Sequence, residues 1–326
     1  MRSMKTIIRG AFGLILCTVT LSAQDFQIRT RVDLVVVSCA VKDAKDGFVT
    51  HLGKDDFTVL EDDVVQSIQQ FSIDPMPLAA VLLVDTGLPV KSLKSIQESV
   101  PALVAAFSEL DEVAIYRFDN TVRLVQDFVA DPELLRQALD QLRNLPPTVE
   151  TVGGETAQPS PTVNGRSIVT TARTPFSRDK RVLHDAIYDA SLALRNRTEE
   201  KRRIILVISD GNTKASKFTF DENLIQLVDN EIQVYTVGVK VNWFSRINSV
   251  LNNYAVWTGG SYSSTSSAED LGRVYSKLTE QARNQYVIGY VSNNQAPPTK
   301  IVFRRVEIRS SKPYKISHKK GYYQIP

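Results

Sequence analysis

The chain contains few of the side chains that most enzymes use as nucleophiles, bases or metal ligands, with two cysteines and three histidines among 326 residues. It has no Gly-x-Ser-x-Gly nucleophile elbow, no phosphate loop ending in Gly-Lys-Ser/Thr and no His-Glu-x-x-His motif. Cysteines and histidines at zinc-binding spacing are also missing. These absences exclude the common motif-defined hydrolases and phosphoryl-transfer enzymes, and we expect a protein that is not an enzyme.

An excess of charge of one sign is lacking too. Lysine and arginine number 39 against 36 aspartates and glutamates, which gives a formal net charge of +3. Binding to nucleic acid depends on neutralising many phosphates, so this balance argues against a nucleic-acid partner. Hydrophobic residues at 43% and charged residues at 23% are typical of a folded globular protein.

The apolar run at residues 11–21 is too short to span a bilayer comfortably. It follows a basic start and precedes a small-residue end at Ala23, which is the pattern of a secretory signal peptide. We therefore predict a signal peptide at 1–23, export to the periplasm or the extracellular space, and no integral membrane span after cleavage. An uncleaved membrane anchor is the alternative.

Cleavage after Ala23 would leave Cys39 as the only cysteine, so no intramolecular disulfide could form. Cys39 lies in the apolar stretch 35–41, which reads as a strand. We expect a buried, unreactive thiol there.

Three segments differ in their patterns. Residues 24–77 and 285–326 read as short strands and turns, whereas strands and helices alternate across 78–284. The alternation predicts an α/β domain with a doubly wound, mostly parallel sheet. Neither end has enough strands to bury a face alone, so we expect them to form one small β-sandwich together. The proline- and glycine-rich stretch 144–180 predicts a mobile loop over the carboxyl ends of the strands.

Two apolar runs in the central segment end in aspartate. Residues 79–84 precede Asp85, and residues 204–208 precede Ser209-Asp210-Gly211. Unbroken apolar runs suit strands that are buried on both faces. Ligands of open parallel sheets bind at the carboxyl ends of such strands, so Asp85 and Asp210 mark the candidate site.

The first of these ends, Asp85-Thr86-Gly87-Leu88-Pro89, resembles the Asp-x-Ser-x-Ser metal-ion-dependent adhesion site of von Willebrand factor type A domains. Ser209-Asp210-Gly211 resembles the later Asp-Gly motif of that family, and Leu183-His184-Asp185-Ala186-Ile187 resembles its Leu-x-Asp-Ala-Ile helix. The resemblance implies a Rossmann-like α/β fold and a role in adhesion or protein interaction.

The two chain ends resemble a related bacterial subgroup described mainly from acidobacteria. Residues 56–62 match its Asp-Phe-x-Val-x-Glu-Asp pattern, and Lys320-Gly321-Tyr322-Tyr323 matches its closing Arg/Lys-x-Gly-Tyr. The resemblance therefore covers nearly all of the chain after the predicted signal peptide.

The metal motif is where the chain departs from the family. The resemblance implies a cation held by two aspartates, two serines and a threonine, and here Gly87, Pro89 and Arg181 stand at the serine and threonine positions. We therefore expect no cofactor, with Asp85 and Asp210 as the remnant of a metal site. The alternative is a module that binds Mg²⁺ or Ca²⁺ through main chain or water. A third reading is a hydrolase that uses Asp85 and Asp210.

A cation of the chain itself could replace the metal, because two adjacent carboxylates need a counter-charge. We predict that Arg181, or its neighbour Lys180, supplies it. The partner is expected to be a protein of unknown identity that binds at the carboxyl-end face. The predicted ligand-binding residues there are Thr86, Gly87, Arg181, Asn212 and Thr213.

Overall fold

The computed structural model describes residues 34–73, 75–143, 162–163, 166–167, 181–198, 200–239, 249–265, 267–294 and 299–325. The predicted signal peptide, Lys180 and most of the predicted loop 144–180 lie outside the described residues. Every helix in the described part is too short or too polar to cross a membrane.

Strands make up both ends of the described chain and alternate with helices between them. The strands are β1 (Leu34–Lys42), β2 (Phe57–Glu61), β3 (Val64–Gln66), β4 (Ile68–Ile73), β5 (Leu78–Asp85), β6 (Glu112–Phe118), β7 (Val122–Val129), β8 (Thr162–Val163), β9 (Arg166–Ser167), β10 (Arg202–Ser209), β11 (Gln233–Val239), β12 (Tyr262–Thr265), β13 (Tyr286–Val291), β14 (Val302–Ser310), β15 (Lys315–His318) and β16 (Gly321–Gln324).

The helices lie between β5 and β13, apart from a single 3₁₀ turn at Lys54–Asp56. They are α1 (Val90–Glu98), α2 (Val100–Ala105), α3 (Pro132–Arg143), α4 (Leu183–Arg195), α5 (Phe220–Asp229), α6 (Ser249–Thr258) and α7 (Ala268–Arg283). Pro101 follows the break between α1 and α2, because proline fits the first turn of a helix but not its interior.

The central sheet has the order β12-β11-β10-β5-β6-β7, and all its neighbours are parallel except the edge pair β6 and β7. The predicted doubly wound, mostly parallel sheet is confirmed, and the two apolar runs lie side by side as β5 and β10. Their register pairs Val84 with Ile208, so the two strands end at the same level.

Helices cover both faces of this sheet. Alternate residues of β5 point to opposite faces, so Leu82 packs with α1, α2, α3 and α7, while Leu83 packs with α4, α5 and α6. Every residue of β5 is buried, which explains its unbroken apolar sequence. Asp85 is two residues beyond Leu83 and therefore points to the side of α4.

Strands from the two chain ends share two further sheets. One has the order β15-β1-β13-β4, and the other has the order β16-β14-β2-β3. Each therefore places strands of the N-terminal and C-terminal segments next to each other, in antiparallel pairs such as β1 with β13 and β2 with β14. One hydrophobic cluster takes residues from both sheets, including Val37 and Ile288 of the first and Val59 and Val306 of the second.

Cys39 belongs to the same cluster and is fully buried in β1. Burial raises the pKa of its thiol to about 12, because the thiolate would be removed from water. The thiol is therefore protonated and unreactive at neutral pH, as the apolar sequence around it predicts.

Two of the described strands have sequences that do not predict them well. The first is β12, a four-residue edge strand of small polar side chains, which gives no hydrophobic pattern to detect. The second is β16, which opens with Gly321 because a side chain there would overlap the Arg304 carbonyl of the neighbouring strand. Both are therefore set by tertiary pairing more than by their own sequence.

Candidate functional site

The candidate site lies at the carboxyl ends of β5 and β10. The chain leaves β5 toward β6 on one side, while β10 lies on the other side, so the order of strands reverses between β5 and β10. A crevice forms at such a point in doubly wound sheets, because the connections on either side leave in opposite directions. We call this place the carboxyl-end crevice.

Asp85 is the fully buried centre of the crevice, and both of its carboxylate oxygens are engaged. Oδ1 accepts a hydrogen bond from the Gly87 backbone N–H at 3.0 Å and lies 3.2 Å from Nε of Arg181. Oδ2 accepts a hydrogen bond from the Ser209 hydroxyl at 2.8 Å. One cation and two neutral donors thus hold this carboxylate.

Ser209 is a site residue to which the sequence reasoning gave no role. Its hydroxyl donates to Asp85 and accepts a hydrogen bond from the Gly211 backbone N–H at 2.9 Å. Alternation could have identified it, because Ser209 lies two residues beyond Val207 and so shares the α4 face of the sheet with Asp85.

Backbone contacts on both sides fix the position of Arg181, which lies two residues before α4. Its carbonyl accepts a hydrogen bond from the Ala215 N–H at 3.0 Å, and the next N–H, of Val182, donates to the Asp119 carbonyl at 3.1 Å. Leu183 then opens α4 with its side chain fully buried. The arginine side chain is only 9% exposed, so the ion pair with Asp85 is a buried one.

Gly87 leaves the room that the guanidinium occupies. A Cβ atom at position 87 would overlap Cζ, Nε and Nη2 of Arg181. Any side chain at residue 87 therefore competes with the arginine for the same space. The glycine and the arginine, read separately in the sequence as two departures from the metal motif, form one packing unit in the structure.

The electrostatic balance at Asp85 shifts its pKa toward neutral pH. Burial, together with the nearby charge of Asp210, raises the pKa of Asp85 to about 7. Arg181 and the hydrogen bonds from Ser209 and Gly87 lower the pKa, but they do not outweigh the loss of hydration. A carboxyl group of this kind is partly protonated near neutral pH.

Asp210 belongs to a turn at the rim of the crevice. It is half-buried, and its Oδ1 accepts a hydrogen bond from the Asn212 N–H at 3.0 Å. The turn requires Gly211, whose φ of 79° is in the left-handed region. Asn212 and Thr213 follow, both half-buried, with the Asn212 side chain accepting from the Lys214 N–H.

Thr86 lies on the other side of the crevice, where it ties β5 to β6. Its backbone N–H donates to the Phe118 carbonyl at 2.8 Å, and its hydroxyl lies 3.3 Å from the same oxygen. The five predicted ligand-binding residues therefore lie around one crevice. All five make contacts inside the chain, and Asn212 and Thr213 form the rim.

The residues present do not fit a divalent cation. Gly87 and Pro89 offer no side-chain oxygen, and Asp85 has both oxygens engaged by the contacts above. Across the described ranges, no three side chains of His, Cys, Asp or Glu are arranged to hold a metal. Mg²⁺ demands near-octahedral oxygen ligands, which this donor set does not supply.

No protein-family model matches the chain, and neither does any curated protein. Among solved structures, it is similar to a von Willebrand factor type A protein from Catenulispora acidiphila, with 9% identity and a TM-score of 0.46 over 90% of this chain and 74% of that one. It is also similar to BatB from Bacteroides thetaiotaomicron, with 14% identity and a TM-score of 0.42 over 64% of this chain and 100% of that one. Manganese-loaded TRAP from Plasmodium vivax has 11% identity and a TM-score of 0.44 over 81% of this chain and 98% of that one. Likenesses at these scores carry no weight for the site or its ligands.

Proposed function

We propose that the chain is an exported protein-interaction module of the von Willebrand factor type A kind, whose adhesion site works without a metal. The observation that supports this most is the Arg181 guanidinium, which pairs with Asp85 and fills the space above Gly87. A buried carboxylate needs a counter-charge, and a guanidinium supplies one that cannot be lost by deprotonation.

The partner surface in this proposal is the rim of the carboxyl-end crevice. Asn212 and Thr213 lie in a turn that the end of β10 and the Arg181 backbone hold in place. Loops fixed on a rigid sheet are well suited to recognition, because they can vary without disturbing the core. The two outer sheets, which share one hydrophobic cluster, act in this proposal as a β-sandwich that carries the interaction domain.

Calorimetric titration with Mg²⁺ and Ca²⁺ tests the metal-free site. We expect no saturable binding by the wild-type chain. Arg181→Ala should lose about 3–5 kcal/mol of stability in chelator, because it leaves a buried carboxylate without its cation. Part of this loss should return in millimolar Mg²⁺, because the vacated space gives a cation access to Asp85.

The matched control is Arg123→Ala, which removes an exposed arginine from the edge strand β7. It should change stability by less than about 0.5 kcal/mol and leave the response to metal unchanged. Saturable Mg²⁺ binding by the wild type would favour the metal-dependent alternative. An Arg181→Ala chain as stable as wild type, and equally indifferent to metal, would remove the support for the proposal.

A hydrolase is the second candidate, and one observation favours it: burial brings the pKa of Asp85 to about 7, the range of a general acid or base. Two observations weigh against it. Asp85 is fully buried, and both of its oxygens are held by neighbouring groups. A substrate would have to displace Arg181 or Ser209 to reach the carboxyl group, so we propose a binding role.

A further inference from the structure

A cavity of about 800 Å³ lies at the opposite, amino-terminal end of the central sheet. Val36 and Val287 of one outer sheet form one wall, and the first residues of β10 and β11, Arg202 and Gln233, form another. This size is in the range of cavities that hold small organic ligands.

The lining of the cavity is basic. Five lysines and arginines face two acids, Asp229 and Glu231. Lys201 is already engaged, because its Nζ lies 2.9 Å from a Glu112 oxygen and 3.0 Å from the Leu110 carbonyl. In the described part of the chain, neither Asp229 nor Glu231 lies within ion-pair distance of the remaining cations Arg195, Arg202, Arg203 and Lys319, and the acids act on Arg202 and Lys319 only through weaker, longer-range attraction.

Arg202 is the most deeply buried of these cations, with 7% of its surface exposed. Its Nη1 donates to Oε1 of Gln285 at 2.7 Å. Gln285 is itself fixed by two hydrogen bonds with the side chain of Gln233 and by one to the Tyr235 hydroxyl. Among the described residues, the neutral amide oxygen of Gln285 is therefore the one acceptor to which this guanidinium donates.

The other edge of the Arg202 guanidinium has no partner. Nε and Nη2 are shielded from solvent, and neither donates a hydrogen bond to any described residue. These two N–H groups lie side by side in the planar guanidinium, and we call them its side-on edge. Their spacing lets them donate to two oxygens of one carboxylate or phosphate. Among the described arginine nitrogens that are shielded from solvent, only those of Arg202 lack partners at both atoms of this edge.

Burial also lowers the pKa of Arg202 and of Lys319, as expected for cations removed from water. The carboxyl-terminal ends of α5 and α6 border the cavity, and helix ends of this polarity favour cations. The two helix ends explain why cations gather here, but they do not supply hydrogen-bond acceptors for the side-on edge of Arg202.

We propose that this cavity binds a small organic anion through a phosphate or carboxylate group, with Arg202 as its principal contact and Lys319 as the second. A rotation of the Arg202 side chain turns the side-on edge toward the cavity that the residue lines. The ligand then supplies the two acceptors that Nε and Nη2 lack, together with a negative charge at contact distance. The site is separate from the carboxyl-end crevice and does not depend on the function proposed for it.

The test is thermal unfolding of the purified chain in inorganic phosphate, pyrophosphate or succinate, each against chloride at equal ionic strength. At least one of the three should raise the melting temperature of the wild type in a saturable way, because ligands that bind only the folded state stabilise it. A response to the phosphates alone assigns a phosphate-bearing ligand, and a response to succinate alone assigns a carboxylate.

Arg202→Met should weaken this binding at least about tenfold, because the charge-assisted contact is lost. Without ligand it should be no less stable than wild type, since it removes a buried charge that no described acid contacts directly. Arg123→Met, at an exposed arginine, is the matched control and should bind as wild type does.

Three results would overturn the proposal: equal melting temperatures in all salts, equal binding by Arg202→Met and wild type, or failure of Arg202→Met to fold. The last would mean that the guanidinium is needed by the fold and not by a ligand. Lys319→Met gives an independent measure, and it should also bind the effective anion more weakly than wild type does.

Discussion

Two fully buried carboxylates, Asp85 in the carboxyl-end crevice and Glu61 in the outer sheets, are stabilised in opposite ways. Asp85 pairs with Arg181 and receives two neutral hydrogen bonds. Glu61 has no ion pair in the described part of the chain and accepts four hydrogen bonds from neutral donors, at 2.6–3.0 Å. The donors are Tyr290, Ser292, Asn294 and Tyr322.

Glu61 is a structural anchor between the two ends of the described chain, whereas Asp85 belongs to the candidate site. The donors to Glu61 come from β13, from the turn after it and from β16, so this carboxylate joins segments more than two hundred residues apart. Glu61 lies near one end of the described chain and Tyr322 near the other, and the hydrogen bond between them joins the two ends. Asp85 instead uses a charged partner beside a crevice, where that partner can be exchanged.

Removing residues 321–326 would break the anchor and should have the largest effect. The loss of β16 removes three hydrogen bonds made by its side chains, worth about 1 kcal/mol each, and aromatic packing worth about 2 kcal/mol, so the cost should be at least about 5 kcal/mol. Amide exchange should then accelerate in β2 and β1, while β5 and β10 stay protected. Unchanged exchange in β2 would show that the N-terminal strands do not depend on the C-terminal ones.

Some of these features could be predicted from the sequence and others could not. The unbroken apolar runs predict β5 and β10 and their neighbouring carboxyl ends, because burial on both faces leaves a local pattern. The hydrogen bond between Glu61 and Tyr322 joins residues that are 261 positions apart, so no local sequence pattern predicts it. Likewise, counting motif positions identifies Arg181, but only the folded chain shows that Gly87 makes room for it.

Asp85→Asn tests the effect of burial on Asp85 through the dependence of stability on pH. The pKa of Asp85 rises from 3.8 to about 7 on folding. The folded state therefore binds this proton more tightly than the unfolded state, and stability falls as the pH rises from about 4 to about 7. The shift corresponds to a loss on the order of 4 kcal/mol.

Urea unfolding across this pH range measures the effect. Asp85→Asn should flatten the slope, although the variant is destabilised overall because Arg181 loses its counter-charge. The control, Asp55→Asn, changes an exposed aspartate and should keep the slope of the wild type. Equal slopes for wild type and Asp85→Asn would contradict the burial effect.

Gly87→Ser tests whether Gly87 and Arg181 form one packing unit. The serine side chain would overlap the guanidinium, and overpacking of this kind costs about 1–3 kcal/mol. Arg181→Thr removes the obstacle, so the double variant should be more stable than the sum of the two single changes predicts. Additive effects would mean that Arg181 moves aside freely and does not fill the site.

The smallest effect expected is that of Tyr322→Phe, which removes one of the four donors to Glu61 while keeping the ring. The hydroxyl lies 3.0 Å from Oε2 of Glu61, and three other donors remain, so the cost should be about 1 kcal/mol. The adjacent Tyr323 is the matched control, because its ring packs against Phe303 at 5.1 Å and its hydroxyl donates to no described residue. Tyr323→Phe should therefore change stability by less than about 0.5 kcal/mol.

Neither variant should respond to Mg²⁺, since the Glu61 cluster balances its carboxylate with neutral donors and leaves no vacancy for a cation. Equal effects of the two substitutions would show that Glu61 is held by its other donors alone, and that Tyr322 contributes its ring and not its hydroxyl.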